Sequence, residues 1–252
     1  MTPPLLFVDD LAQVVVGDVI DLPAEEARHA AASLRMKTGE AVLVADGRGH
    51  RVLGRADVQG NCVAVDVDAI EFVPQPAAHF TVVQALAKGE HGELAIDLMT
   101  QVGVDRVIPW ASQRSIVQWK GERADKSLLK WRNTARAAAK QSRRAWVPKI
   151  DEAISTGELV HLIPGFDAAF ILHEEAVASL AAVPLPTQGR FCLIVGPEGG
   201  ISAQEIELCL SGGAAPVTVG AQVLRASLAG AIGVSVLSTR LRWAEPGSPS
   251  MG

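Results

Sequence analysis

Three polar or glycine-bearing segments follow directly on apolar runs, and they define what chemistry this sequence could carry. The run Phe191-Cys-Leu-Ile-Val195 leads straight into Gly196-Pro-Glu-Gly-Gly-Ile-Ser202. Gly196, Gly199 and Gly200 can let the main chain approach a ligand closely, while Pro197 stiffens the turn. Behind them Ser202-Ala-Gln-Glu205 forms a capping box, so a helix starts there. The same residues also make a plain strand-to-helix turn, and residue types alone do not separate the two readings. The spacing fits neither GxGxxG nor GxxxxGKS/T, so neither a dinucleotide fingerprint nor a P-loop is present.

A second segment, Val217-Thr-Val-Gly-Ala-Gln-Val-Leu-Arg-Ala226, places Gly220 after another apolar run and Arg225 before an Ala- and Gly-rich helix. Small residues at Ala226, Ala229, Gly230 and Gly233 permit close packing, which a buried helix needs with or without a ligand. The third is Leu172-His173-Glu174, where a lone His or Glu serves as readily as a surface or capping group as it does as a catalyst. A fourth signal is charge. Gln113 to Lys149 holds eleven Lys and Arg against Glu122 and Asp125, a local +9 in a chain whose net charge is −5. Four of the five tryptophans, Trp110, Trp119, Trp131 and Trp146, lie in or beside that stretch. Cations with interleaved aromatics suit phosphate contacts and base stacking. Trp131, however, stands at helical spacing from Leu128 and Ala135, which reads as core, and a solvated helical face would carry many of the lysines.

The elements that position these segments divide at Pro74-Gln75-Pro76, a stiff connector that cannot sit inside a central strand. Residues 1–72 carry short β-branched runs, at Val14–Val16, Val19-Ile20, Ala41–Val44, Arg51–Leu53 and Val63–Val67, broken by Asp46-Gly-Arg-Gly49 and Gln59-Gly-Asn61. Their spacing predicts a small β-barrel with one helical stretch, Glu25 to Met36. Residues 73–252 alternate instead. Strands are expected at Phe80–Leu86, Arg106–Pro109, Ala168–Leu172, Phe191–Val195 and Val217–Val219. Helices are expected at Gly92–Val102, Ala124–Arg144, Ser202–Leu210 and Ser227–Arg242. The wholly apolar strands predict an α/β domain whose largely parallel sheet is covered on both faces, with ligands received beyond the strands' carboxyl ends.

Composition narrows the class further. With 252 residues and 48% apolar content, the chain can build a sizeable core. Its N-terminus lacks the basic n-region of a signal peptide, and its longest weakly polar run, Ala226 to Leu237, is too short to span a bilayer. Cys62, Cys192 and Cys209 form no CxxC pair, so neither a metal site nor a disulfide framework is expected, and a reduced, cytoplasmic setting fits. No Ser-His-Asp order, paired carboxylates or HExxH supports a hydrolase.

Taken in order, the segments resemble a known family. Leu193-Ile-Val-Gly-Pro-Glu-Gly-Gly-Ile201 followed by Val219-Gly-Ala-Gln-Val-Leu-Arg-Ala226 is similar to the paired cofactor loops of SPOUT-class methyltransferases. Four further stretches resemble the 16S rRNA uridine-N3 methyltransferase family. They are Arg28-His29 with Leu34-Arg35 and Gly39-Glu40; Leu86-Ala-Lys-Gly89; Gly103-Val104 with Ile108-Pro109 and Ser112–Val117; and Trp131 with Ala139–Arg143 and Val147-Pro148. The resemblance covers nearly the whole chain. It implies an N-terminal PUA-like, RNA-binding β-barrel and a C-terminal SPOUT α/β domain with a deep trefoil knot. It also implies a homodimer acting on 16S rRNA in the 30S subunit, with no membrane or metal partner. S-adenosylmethionine (SAM) would lie among three loops: Leu172 and His173; Gly196, Pro197, Glu198, Gly199 and Gly200; and Val219, Gly220, Val223, Leu224, Arg225 and Ala226. Departures from the family pattern are Ser227 and Leu228 in place of Glu and Thr, Leu98 and Gln101 in place of Lys and Glu, and no Arg near Phe7.

The reaction expected on that basis is in-line transfer of a methyl group to N3 of an exposed uridine. Arg225 would stabilise the developing uracil anion, unless it pairs with a carboxylate such as Glu198. Arg28, His29 and Arg35 in the first module, with Arg114, Arg136, Gln141, Arg143 and Arg144, would hold RNA. Two rivals stand: an enzyme of the same class acting on another RNA, and a non-catalytic RNA-binding assembly factor, which would bind RNA without SAM.

Overall fold

The structure, a computed structural model, describes residues 2–243. The chain forms two compact units. Among the described residues, one comprises the chain up to Gln75 together with Ala139–Val147, and the other comprises Pro76–Ala138 and residues 148–243.

In the first unit, β1 (Leu5–Phe7), β2 (Val19–Asp21), β3 (Ala41–Ala45), β4 (His50–Gln59) and β5 (Cys62–Phe72) make one sheet in the order β1-β3-β4-β5-β2. β1 runs parallel to β3, and every other pair is antiparallel. Alternating residues of β3, β4 and β5 supply Val42, Val44, Val52, Ala56, Val63, Val65 and Val67 to a core closed by Leu6, Leu11 and Ala27. The run Val14–Val16 is not a strand. Val15 donates its N–H to the Asp18 carboxylate at 2.9 Å, Gly17 adopts φ +93°, and the exposed valines sit in turns. The expected helix from Glu25 to Met36 is shorter and of two kinds, α1 (Ala24–Arg28) followed by a π-turn at His29–Ser33, with Arg35 left-handed at φ 53°. Ala139–Val147 joins this unit through backbone bonds from Gly49 N–H to Ala145 C=O and from Val147 N–H to Gly47 C=O. Trp146 packs edge-on against Phe72 and donates to Val73 C=O at 2.7 Å. Sequence alone assigns this segment to the second module, because nothing local in it announces a partner some hundred residues earlier.

The second unit holds β6 (Ala78–Ala85), α2 (His91–Gln101), β7 (Arg106–Ala111), α3 (Glu122–Gln141), β8 (Lys149–Ile150), β9 (Ile154–Ser155), α4 (Thr156–Leu162), β10 (Ala168–Leu172), β11 (Gly189–Val195), α5 (Ala203–Ser211), β12 (Ala215–Val217) and α6 (Ala226–Leu241). The last residues of α3 lie in the first unit. The sheet runs β12-β10-β11-β6-β7-β8 with β9 beside β7, and every pairing is parallel. Parallel strands with helices on both faces must bury both sets of alternating side chains. Phe80, Val82, Leu193 and Val195 face Ile96 and Met99 of α2 and Val234 and Leu237 of α6. Val83, Ala85, Cys192 and Ile194 face Leu159 of α4 and Cys209 of α5. That is why Phe191–Val195 is apolar at every position. Among the described residues, no helix is long and apolar enough to cross a membrane.

Most boundaries shift by one to three residues from expectation, and two of the shifts have a visible local cause. The strand near Val217 ends there rather than at Val219, because Thr218 turns to hydrogen-bond Gly220 through its hydroxyl. Helix α3 stops at Gln141 because Arg143 is left-handed, φ 54°, and Arg144 N–H closes back on Ala139 C=O at 2.9 Å. Trp131 is core, as its spacing with Leu128 and Ala135 indicates, and Trp110 is fully buried. Neither can stack on a nucleic-acid base.

His79 on β6 gives this unit a pH dependence. Burial holds its imidazole below the ordinary value, Asp105 opposes that, and Arg242, Arg106 and Arg190 add to it. The folded state therefore favours neutral His79, while the unfolded chain takes up a proton near pH ~6.5. Its contribution is present above that pH and is lost as pH falls further. The melting temperature of the native chain should drop more between pH 7 and 5.5 than that of His79→Gln; parallel curves would remove His79 as the cause.

Candidate functional site

Because β10, β11 and β12 are parallel neighbours, the segments that follow them emerge at one edge of the sheet. There they bound a cavity of about 830 Å³, within the roughly 300–1,000 Å³ range of small-molecule sites. One wall is Leu172 to Glu175 after β10, a second is Gly196 to Ile201 after β11, and a third runs from Val217 to Arg225 and into the start of α6. Every cofactor residue expected from the sequence lines this cavity except Gly220, which lies outside its lining. Gly200 adopts φ +72° at the tip of a turn whose N–H bonds Pro197 C=O at 2.9 Å, a conformation that strains residues with a Cβ.

The third wall depends on close helix packing. A Cβ at Gly230 would lie 2.6 Å from Met99 Sδ, and one at Gly233 would lie 2.8 Å from a Leu193 methyl. Small residues in α6 therefore let it press against α2 and the sheet, bringing its first turn, with Ser227 buried, to the cavity. Across from it, the loop after β7 contributes Arg114, whose guanidinium donates to Gly199 C=O at 3.2 Å.

Glu205 locks these pieces together. Its fully buried carboxylate accepts from Gln113 N–H (2.8 Å) and the Thr156 hydroxyl (2.9 Å) through one oxygen, and from Ser202 N–H (3.2 Å) and hydroxyl (2.9 Å) through the other. The capping box read from the sequence is thus also a three-way tie between α5, α4 and the Arg114 loop.

Arg225 is exposed on the cavity wall and makes no side-chain hydrogen bond or ion pair among the described residues, so it does not pair with Glu198. His173 accepts Glu175 N–H at Nδ1, 3.2 Å away. The basic residues grouped by the sequence separate. Of Arg114, Arg136, Gln141, Arg143 and Arg144, only Arg114 lines the cavity. Arg136 is half-buried on α3, while Gln141, Arg143 and Arg144 lie in the first unit with Arg28, His29 and Arg35. Sequence reasoning missed His91, Thr218, Gln222 and Ser227 on the lining. For Thr218, Gln222 and Ser227, adjacency to the recognised loops was an available signal; for His91, none was.

The thiols carry no chemistry here. Burial pushes Cys192 far up and Cys209 up to about 11, with the neighbouring thiol and Glu205 adding respectively. Among the described residues, no group of three or more His, Cys, Asp or Glu could hold a metal ion.

The model of the RNA methyltransferase domain matches residues 74–238, and that of the RNA methyltransferase PUA domain matches residues 22–55. The ribosomal RNA small subunit methyltransferase E of Mycobacterium bovis is 37% identical over 248 residues, spanning 95% of this chain and 94% of the relative. A Legionella pneumophila protein crystallised with bound SAM superposes with a TM-score of 0.84 at 25% identity, covering 95% of this chain and 98% of that one. The ribosomal RNA small subunit methyltransferase E of Neisseria gonorrhoeae shares the fold, with a TM-score of 0.84 at 24% identity and coverage of 95% and 98%. With a PUA-like segment, a parallel-sheet α/β unit and an RNA methyltransferase match over most of its length, this chain belongs to the ribosomal RNA small subunit methyltransferase E family.

Proposed function

We propose that this protein transfers the methyl group of SAM to N3 of a uridine in the 16S rRNA of the 30S subunit, acting in the cytoplasm as a homodimer. The observation that carries the reading is the cavity at the ends of β10, β11 and β12, with Gly196, Gly199 and Gly200 on its lining. A cofactor whose adenine is held mainly by main-chain groups needs loops without side chains in its way, and Gly196, Gly199 and Gly200 supply one. Leu172, His173, Pro197, Glu198, Val219, Val223, Leu224, Arg225 and Ala226 would complete the cofactor's surroundings, with Gly220 shaping the third loop from outside. Bound there, SAM supplies an electrophilic methyl group on a sulfonium.

The protein's own part is to bind, align and neutralise. Arg225, unpaired and facing the cavity, is placed to stabilise charge developing on a uracil oxygen. Arg114 is held beside Gly199. In this reading residues 1–72 form a PUA-like barrel that grips RNA through Arg28, His29 and Arg35. Residues 73–252 form the SPOUT domain, and Arg136, Gln141, Arg143 and Arg144 contact phosphates. Support for a trefoil knot comes from α6. After the edge strand β12 it returns across β11 and β6, and Arg240 donates to Leu180 and Val183 C=O, both at 2.7 Å, in the connection between β10 and β11.

Calorimetric titration with SAM, using Gly199→Val as control, tests the reading. A Cβ at Gly199 would already sit 3.4 Å from Arg114, so the added methyls must enter the cavity or displace that side chain. Affinity should fall at least about tenfold, or 1.4 kcal/mol. Purified 30S subunits should then accept a methyl group that nucleoside analysis places on uracil N3. No SAM binding by the native chain, with or without RNA, would leave an RNA-binding assembly factor instead.

A further inference from the structure

Two histidines line the cavity, and they differ in what their rings can do. His173 already accepts Glu175 N–H at Nδ1, which leaves its other nitrogen protonated in the neutral ring. His91 is exposed and makes no side-chain hydrogen bond, ion pair or ring contact among the described residues, so one ring nitrogen is free to accept a proton. Position separates them too. His173 belongs to a loop after β10, one of the strands that supply the proposed cofactor wall. His91 opens α2, just after β6, and Arg114 follows β7; β6 and β7 lie beyond β11 on the side away from β10 and β12. The cavity thus has the three loops after β10, β11 and β12 on one side, Arg225 among their residues, and the imidazole of His91 with the guanidinium of Arg114 on the strands beyond, where a second reactant would be received.

We infer that His91 is the catalytic base, taking the proton from N3 of the uracil as the methyl group is transferred; this rests on the N3 reading above. The N3–H bond breaks and its proton passes to the free imidazole nitrogen. The electron pair left on N3 forms the bond to the methyl carbon, and the methyl–sulfur bond breaks with its pair staying on sulfur. The positive charge of the sulfonium ends on the imidazolium. The other charged or titratable groups on the cavity suit other work. Arg114 and Arg225 only donate and match the uracil oxygens. Glu174 and Glu175 belong to the loop after β10 and Glu198 to the loop after β11, both parts of the proposed cofactor wall, whereas His91 follows β6.

The test is the pH dependence of kcat/KM for methylation of 30S subunits from pH 6 to 9, for the native chain and His91→Gln, with SAM calorimetry on both. His91 is exposed, so the variant keeps the fold. Between pH 7 and 9 the native rate should change less than the variant's. The variant should lose about 10²–10⁴-fold near pH 7, recover steadily toward pH 9 as the base ionises unaided, and bind SAM with unchanged affinity. A profile lowered equally at every pH, or a loss of SAM affinity that accounts for the lost rate, overturns the assignment while leaving the N3 reading intact. A methyl group found elsewhere than on N3 overturns both.

Discussion

Replacing Glu205 by alanine should destabilise the second unit by about 2–4 kcal/mol and weaken SAM binding, although Glu205 does not line the cavity. The substitution removes the acceptor of Gln113 N–H, the Thr156 hydroxyl and Ser202 N–H together. Each buried donor left without a partner costs about 1–3 kcal/mol, less where water can reach it, and Gln113 lies near the surface. For a chain of this size a loss in that range corresponds to roughly 4–16 °C in melting temperature. The functional effect follows from the same bonds. Gln113 immediately precedes Arg114, which holds Gly199, while Ser202 closes the turn that begins at Gly196, so both sides of the cofactor loop lose their anchor. Glu205→Gln keeps the shape, but its amide donors would face donors, and it should fall between the two. Thermal and denaturant unfolding with SAM titration check this; an alanine variant with native stability and affinity would show that the tie is incidental.

How far the sequence reached depends on the range of the interactions involved. The capping box Ser202–Glu205 was legible because both partners lie within one helical turn. That the same carboxylate reaches Gln113, 92 positions away, was not. The cofactor loops were legible because parallel strands put their ends at one edge, so consecutive strand–loop units in the sequence become neighbours in space. His91 was hidden because β6 is first in the sequence of the unit but central in its sheet, beside β11. The basic stretch misled in the other direction: its charges are contiguous in the sequence, yet Ala139–Val147 pack with the first unit while Arg114 lines the cavity in the second. Short β-branched runs such as Val14–Val16 failed for a local reason, since Gly17 and the Asp18 carboxylate outweighed the strand preference of three valines.

The second large effect is expected at Arg242, which ends α6 and was visible in the sequence only as one more cation. Its guanidinium pairs with Asp105, donates to Ala78 C=O and, at 2.7 Å, to Gly103 C=O, and lies 3.8 Å over the Phe80 ring. Asp105 in turn accepts Phe80 N–H at 2.7 Å. One cation thus ties the end of α6 to the starts of β6 and β7. Burial lowers the Arg242 pKa and Asp105 opposes that shift, so the pair makes a buried charge tolerable rather than adding free stabilisation. Arg242→Met should therefore cost about 3–5 kcal/mol, because it takes the cation from a largely buried carboxylate and the donor from two carbonyls. Arg242→Lys should not rescue it, since a single ammonium cannot reach all three acceptors and also stack on Phe80. In a double-mutant cycle, Asp105→Asn with Arg242→Met should cost less than the sum of the single changes, by about 0.5–3 kcal/mol. Denaturant midpoints of the four proteins measure this. Strict additivity would mean that Arg242 acts through its carbonyl and ring contacts rather than through Asp105.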